Sequence, residues 1–73
     1  MIVMTDKDAL QGKQLLYAER DIQGDFHFFS KAVVDESEWM RCDWDALASK
    51  HKEILAVRAC PIGWSARRTI DGG

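Results

Sequence analysis

His27, Cys42, His51 and Cys60 are the side chains of this sequence best suited to grip a metal ion, since a tetrahedral zinc site can use two donors of each type. Their spacing argues against it. Zinc ligands usually come in close pairs on a turn, whereas these four fall singly on different elements. The simpler reading is two packed thiols and two half-exposed histidines, with no metal and no cofactor. Cys42 and Cys60 are the only cysteines, with neither C-x-x-C spacing nor the density of a disulfide scaffold, so both are expected to be reduced and largely buried. Nucleophilic catalysis finds no better footing. Ser30, Ser37, Ser49 and Ser65 lack a G-x-S-x-G setting, and Cys42 has Arg41 as its one basic neighbour. The paired carboxylates Asp43 and Asp45 are explained by helix capping and the helix dipole. With no catalytic residue to name, the sequence reads as a non-enzyme.

Binding chemistry is better represented. The stretch "DESEWMRCDWD" gathers Asp35, Glu36, Glu38, Asp43 and Asp45 around Trp39 and Trp44. Tryptophan is enriched at interface hot spots, and surrounding negative charge steers a basic partner into place. The competing account makes Trp39 a core residue and the acids a solvated surface. A different site would use Arg58, Arg67 and Arg68 with Trp64, to contact phosphates and stack a base or to hold a small ligand. A net charge of −2 and twelve acidic residues disfavour a polyanion, and Arg67 and Arg68 would point to opposite sides of a strand. Single-stranded nucleic acid or a small ligand at this Arg/Trp segment is therefore the alternative, and a nucleic-acid partner the less expected one.

The elements that position these groups follow from patterning. At 73 residues the chain is expected to form one small domain, burying about 60% of the surface its unfolded form exposes. Its composition, 47% hydrophobic and 30% charged, is that of a folded protein. No apolar stretch of signal-peptide length precedes Asp6, and no run approaches the ~20 apolar residues that cross a bilayer, so a soluble cytoplasmic protein is expected. Residues 2–5 read as a strand stopped by the turn-formers of "DKDALQGK". Residues 14–20 and 25–30 read as a hairpin about Gly24, with Phe26 and Phe28 facing the core and Asp25, His27 and Phe29 turned away. Residues 38–42 read as a further strand, placing Met40 and Cys42 opposite Trp39 and Arg41.

Asp43 is a helix N-cap, and residues 44–55 carry an apolar stripe of Trp44, Leu47, Ala48, His51, Ile54 and Leu55 that predicts one principal helix packed on the sheet. Pro61 and Gly63 turn the chain into "WSARRTI", a last strand with Trp64, Ala66, Arg68 and Ile70 on one side. Together these predict an α+β fold: a mostly antiparallel sheet of four or five strands with one helix on one face.

The segments "ALQGKQLLYAERDIQGDFHFFSKA" and "ALASKHKEILAVRACPIGWSARR" carry a further signal. They resemble the bacterial immunity-protein-type domain of unknown function found beside polymorphic toxin genes, whose pattern runs "vl-G-x-x-v-x-y-x-r", then "D/S-G-W-x-F", then a helix and "l-x-x-P-x-G-x-x-x-x-R". Gly12 matches the early glycine, Gly24 and Phe28 the middle element, and Pro61, Gly63 and Arg68 the closing motif. Asp25 and Phe26 stand where that family often has a tryptophan beside the glycine. The resemblance implies a role in binding and neutralising a partner protein, a toxin domain, without catalytic residues or cofactor. In the residues themselves, Pro61 and Gly63 are a turn that brings Trp64 over one end of a thin core, so the sequence predicts a cost of roughly 3 to 5 kcal/mol for Trp64→Ala.

Overall fold

The Gly24 turn forms as its sequence predicts. The computed structural model describes residues 1–68, and in it β2 (Tyr17–Arg20) and β3 (Phe26–Phe29) pair antiparallel, Tyr17 opposite Phe29 and Arg20 opposite Phe26. Gly24 sits at φ +89°, a conformation that L side chains rarely adopt. Around the hairpin stand β1 (Ile2–Thr5), β4 (Met40–Asp43) and β5 (Ser65–Arg67). They form one five-stranded sheet in the order β4-β1-β3-β2-β5, antiparallel except where β1 runs parallel to β3. The fold is thus α+β with a mostly antiparallel sheet. Among the described residues no helix is long and apolar enough to cross a membrane.

The register gives the sheet two different faces, because residues directly opposite across antiparallel strands share a side. Ala18, Phe26 and Phe28 lie with Val3 and Cys42 on the first face. Helix α2 (Trp44–Ala48) covers it, capped by the Asp43 carboxylate on the Asp45 amide. Trp44 meets Phe26 and Phe28 edge to face at centroid distances of 5.2 and 5.8 Å, and Leu47, Ile54, Leu15 and Ala9 close the cluster. Burying Phe28 or Leu47 here is worth about 1.5–3 kcal/mol each.

The expected single helix over residues 44–55 is interrupted. After α2 the Ser49 hydroxyl donates back to the Ala46 carbonyl at 2.7 Å, and His51 leaves the helical region at φ −138°, ψ 78°. The chain resumes as a 3-10 stretch, Lys52–Val57. Tertiary contact overrides the helical pattern: buried His51 donates from Nε2 to the Ala9 carbonyl at 2.7 Å, a bond that a continuous helix would not aim. Leu55, assigned to the apolar stripe, is consequently 57% exposed. Ala9 belongs to a single-turn helix, α1 (Lys7–Leu10), where the sequence suggested only a turn. Asp6 caps it, accepting from the Ala9 amide at 2.8 Å. The strand expected over residues 38–42 begins later, because Asp35 caps a 3-10 turn, Glu36–Glu38, that absorbs Glu38.

The closing "CPIGW" corner is fastened by a residue that the sequence did not single out. Arg20 Nη1 donates to the Cys60 carbonyl at 2.9 Å and Nε to the Gly24 carbonyl at 3.2 Å, with the guanidinium 5.0 Å from the centre of the Phe26 ring. Its backbone accepts from Gly63 and donates to the Trp64 carbonyl, both at 2.8 Å. Pro61 accepts from the Trp64 amide at 3.1 Å, and Gly63 turns at φ +88°. Trp64 itself is only half-buried and stands outside the buried cluster. β5 then returns to β2, the Arg68 amide donating to Leu16 at 2.8 Å; Ile70 lies outside the described residues. Arg20 is a stronger fastener than the Trp64 ring. Arg20→Ala is expected to cost about 2–3 kcal/mol, for two charge-assisted bonds and the stacked cation, against about 1–2 for Trp64→Ala. Urea unfolding of both variants checks the order; a larger midpoint shift for Trp64→Ala would reverse it.

Candidate functional site

The second face of the sheet has no helix over it among the described residues. His27 and Phe29 point there, across the strands from Glu19 and Tyr17. Both lie on the face that alternation assigns them, yet both are buried, His27 7% and Phe29 6% exposed, which corrects the expectation of a half-exposed histidine. The cover comes from Trp39. In passing from β3 to β4 the chain must travel beyond β1, and the end of that connection lays the indole edge-on to His27 at 5.1 Å and tilted against Phe29 at 5.8 Å. Trp39 Nε1 donates to the Val34 carbonyl at 3.3 Å, and Tyr17 extends the aromatic row at 6.4 Å from Phe29. Trp39 is thus a half-buried lid whose inner surface packs on the sheet.

The acids named with Trp39 form the rim of this lid and the far end of the strand after it. Asp35, Glu36 and Glu38 occupy the capped turn and are all exposed. Asp43 and Asp45, also exposed, stand at the other end of β4. At ~3.3 Å per residue, β4 separates the two groups by about 10 Å. Trp44, the other tryptophan of the stretch, points to the opposite side and is buried in the core, so the structure parts the pair. Two of the carboxylates also serve the fold. The Ser37 amide at 2.9 Å, with the Ser37 hydroxyl, holds Asp35 below the usual carboxylate range. The Met1 amino group at 3.2 Å and then the Asp45 amide at 3.1 Å do so for Asp43. Both therefore keep their charge into acidic solution. Glu38 meets Lys31 at 3.4 Å in an exposed pair of little energetic weight. Exposed apolar groups border the turn: Val33 is 84% and Met40 40% exposed.

At the opposite edge of the sheet the alternative site comes apart in part. Arg67 lies over the Tyr17 ring at 5.5 Å on the lid side, whereas Arg68 reaches Glu53 at 3.8 Å and Arg58 lies over Trp44 at 5.3 Å on the helix side. The three guanidinium groups thus have three different partners. Trp64, Arg67 and Arg68 do line one groove of about 380 Å³, with Leu15, Ile54 and Val57.

Among the described residues, no group of three or more His, Cys, Asp or Glu is placed to hold a metal ion. His27 Nε2 instead donates to Asp21 Oδ2 at 2.9 Å. Burial works against the Asp21 charge, but the Asp25 amide, the His27 ring and the Gln23 amide outweigh it and lower its pKa. Cys42 and Cys60 are free thiols, yet each is only half-buried, which corrects the expectation of deep burial. Burial, followed by the Asp43 charge, pushes the Cys42 thiol above its usual range, the opposite of what a nucleophile needs. No family model, curated protein or solved structure matches the chain.

The lid geometry makes a testable demand. Trp39→Ala uncovers His27 and Phe29 and is expected to destabilise the fold by about 2–3 kcal/mol, below the range for a fully buried tryptophan. Denaturant titration checks this, and an unchanged midpoint would remove Trp39 from the packing of the second face.

Proposed function

We propose that this protein is a non-enzymatic protein-binding module of the toxin-immunity type, acting in the cytoplasm on a basic partner protein. The observation that carries the reading is the placement of Asp35, Glu36, Glu38, Asp43 and Asp45, exposed at the two ends of one edge strand and bordered by Val33 and Met40. An exposed apolar group within a field of one sign suits recognition, since the charge speeds encounter and the apolar contact resists release. The resemblance of the Gly12, Gly24, Phe28, Pro61, Gly63 and Arg68 pattern to immunity-type domains supplies the kind of partner, a toxin domain. Two unpaired thiols suit a reducing compartment. A second reading, a small apolar ligand beside Trp64 and Arg68, is favoured by the groove there. A nucleic-acid partner has less support, because Arg67 and Arg68 have different partners and the net charge is −2.

The test is calorimetric titration of the protein with the product of a toxin-like gene adjoining its own. Binding is expected to weaken about tenfold or more in the Glu36→Lys, Glu38→Lys double variant, which spares the Asp35 and Asp43 caps, and to weaken with added salt. Unchanged affinity in that variant would remove the acidic face from the interface.

A further inference from the structure

The site in the proposed function surrounds a strand edge, and the sheet's hydrogen-bond pattern shows which groups that edge presents. In an antiparallel pair, opposed residues alternate between those that exchange backbone hydrogen bonds and those that do not. The Trp44 amide donates to the Met1 carbonyl at 2.7 Å, in the same register that sets Ile2 opposite Asp43 and Met4 opposite Arg41. Trp44, Cys42 and Met40 therefore direct their backbone groups inward to β1. Arg41 and Asp43, one residue out of phase, direct theirs away from the sheet. β4 is an edge strand, and no turn or loop among the described residues bonds the backbone of Arg41 or the amide of Asp43, whose carbonyl opens α2 as its N-cap. Met40, Arg41 and Asp43 are exposed. The edge is open and short, with carboxylates at both ends.

Resting on the protein-binding reading above, we propose that the partner engages this edge as an extended, lysine- or arginine-rich segment that adds a strand beside β4. Edge addition draws affinity from main-chain hydrogen bonds and selectivity from side chains along the strand. Here the main-chain groups are the amide and carbonyl of Arg41 and the amide of Asp43, and selectivity comes from Asp35, Glu36 and Glu38 at one end with Asp43 and Asp45 at the other. The same charges select against a second copy of this chain. Two β4 edges brought together would each carry those five carboxylates against three cations, Arg41, Lys31 and the Met1 amino group, and like charges facing across strands are unfavourable. A basic segment meets no such repulsion, and Met40 and Val33 offer apolar contact to its alternate side chains.

The experiment uses a short synthetic peptide of alternating lysine and valine, a glutamate–valine peptide as its counterpart, and backbone amide NMR with fluorescence anisotropy. Binding of the lysine peptide alone is expected, with the largest amide shifts at Arg41 and Asp43. Arg41→Pro removes an outward N–H that the β1 ladder does not use, as proline permits on an edge strand. It is expected to weaken binding about tenfold or more, while Arg41→Gln, which keeps the amide, binds within about threefold of the wild type. If Arg41→Pro does not fold, the wild-type amide shifts decide. Charge-dependent binding that Arg41→Pro leaves intact would overturn edge addition while sparing the acidic-face reading. Failure of the lysine peptide to bind, or equal binding of the glutamate peptide, would overturn both. A concentration-dependent dimer abolished by Arg41→Pro would assign the edge to a second copy and overturn the basic partner.

Discussion

The fold depends on one buried carboxylate. Asp6, 2% exposed at the end of β1, accepts from the Ser30 amide at 2.7 Å, the Ser30 hydroxyl at 2.8 Å and the Ala9 amide at 2.8 Å. β1 and β3 run parallel, so no tight turn can join them, and their pairing must be secured by contacts distant in sequence. The Asp6–Ser30 bonds do this at the strand ends. Through the Ala9 amide the same carboxylate starts α1, whose Ala9 carbonyl then receives His51 from the segment after α2. Strand pairing, the short helix and the break in the longer helix are thus consequences of one polar chain. Burial alone would push the Asp6 carboxyl up, but the Ala9 and Ser30 donors outweigh that cost and leave its pKa below the usual value.

Arg20 plays the complementary role at the far end of the hairpin, where a cation replaces the anion and carbonyls replace amides. Between these two fastenings the sheet keeps a helix-covered apolar face and a second face covered by a single indole. The division explains the placement of the proposed binding surface. The helix side is committed to the core, while the connection carrying Trp39 leaves its carboxylates and the β4 edge facing solvent.

What was legible in the sequence is what local periodicity encodes. A short β-branched apolar run marked β1, two strand-like runs about Gly24 marked the hairpin, alternation gave the inward set Phe26 and Phe28, and Pro61 and Gly63 marked the last turn, because each signal lies within a few residues of the structure it specifies. Asp6 looked like a turn residue and Arg20 like the charged end of a strand, since the partners that make them structural, Ser30 and Cys60, are distant along the chain. His51 fitted a helical stripe and was drawn out of it by Ala9. The burial of His27 and Phe29 was equally unreadable, because it needs the connection from β3 to return Trp39 to the sheet. In the candidate site the acids were visible as a composition, whereas the open edge between them appeared only with the strand order and register.

The dependence on Asp6 can be measured directly by comparing the unfolding free energy of the wild type and Asp6→Asn across pH. A folded-state pKa below the unfolded value of about 3.9 means that the carboxylate's contribution is complete above that value and is lost as pH falls through the folded pKa. The account predicts a deficit of about 2–3 kcal/mol for Asp6→Asn at neutral pH, where an amide N–H faces the Ser30 donor, narrowing once the pH falls below about 4. A variant as stable as the wild type at neutral pH, or a deficit that widens on acidification, would contradict it.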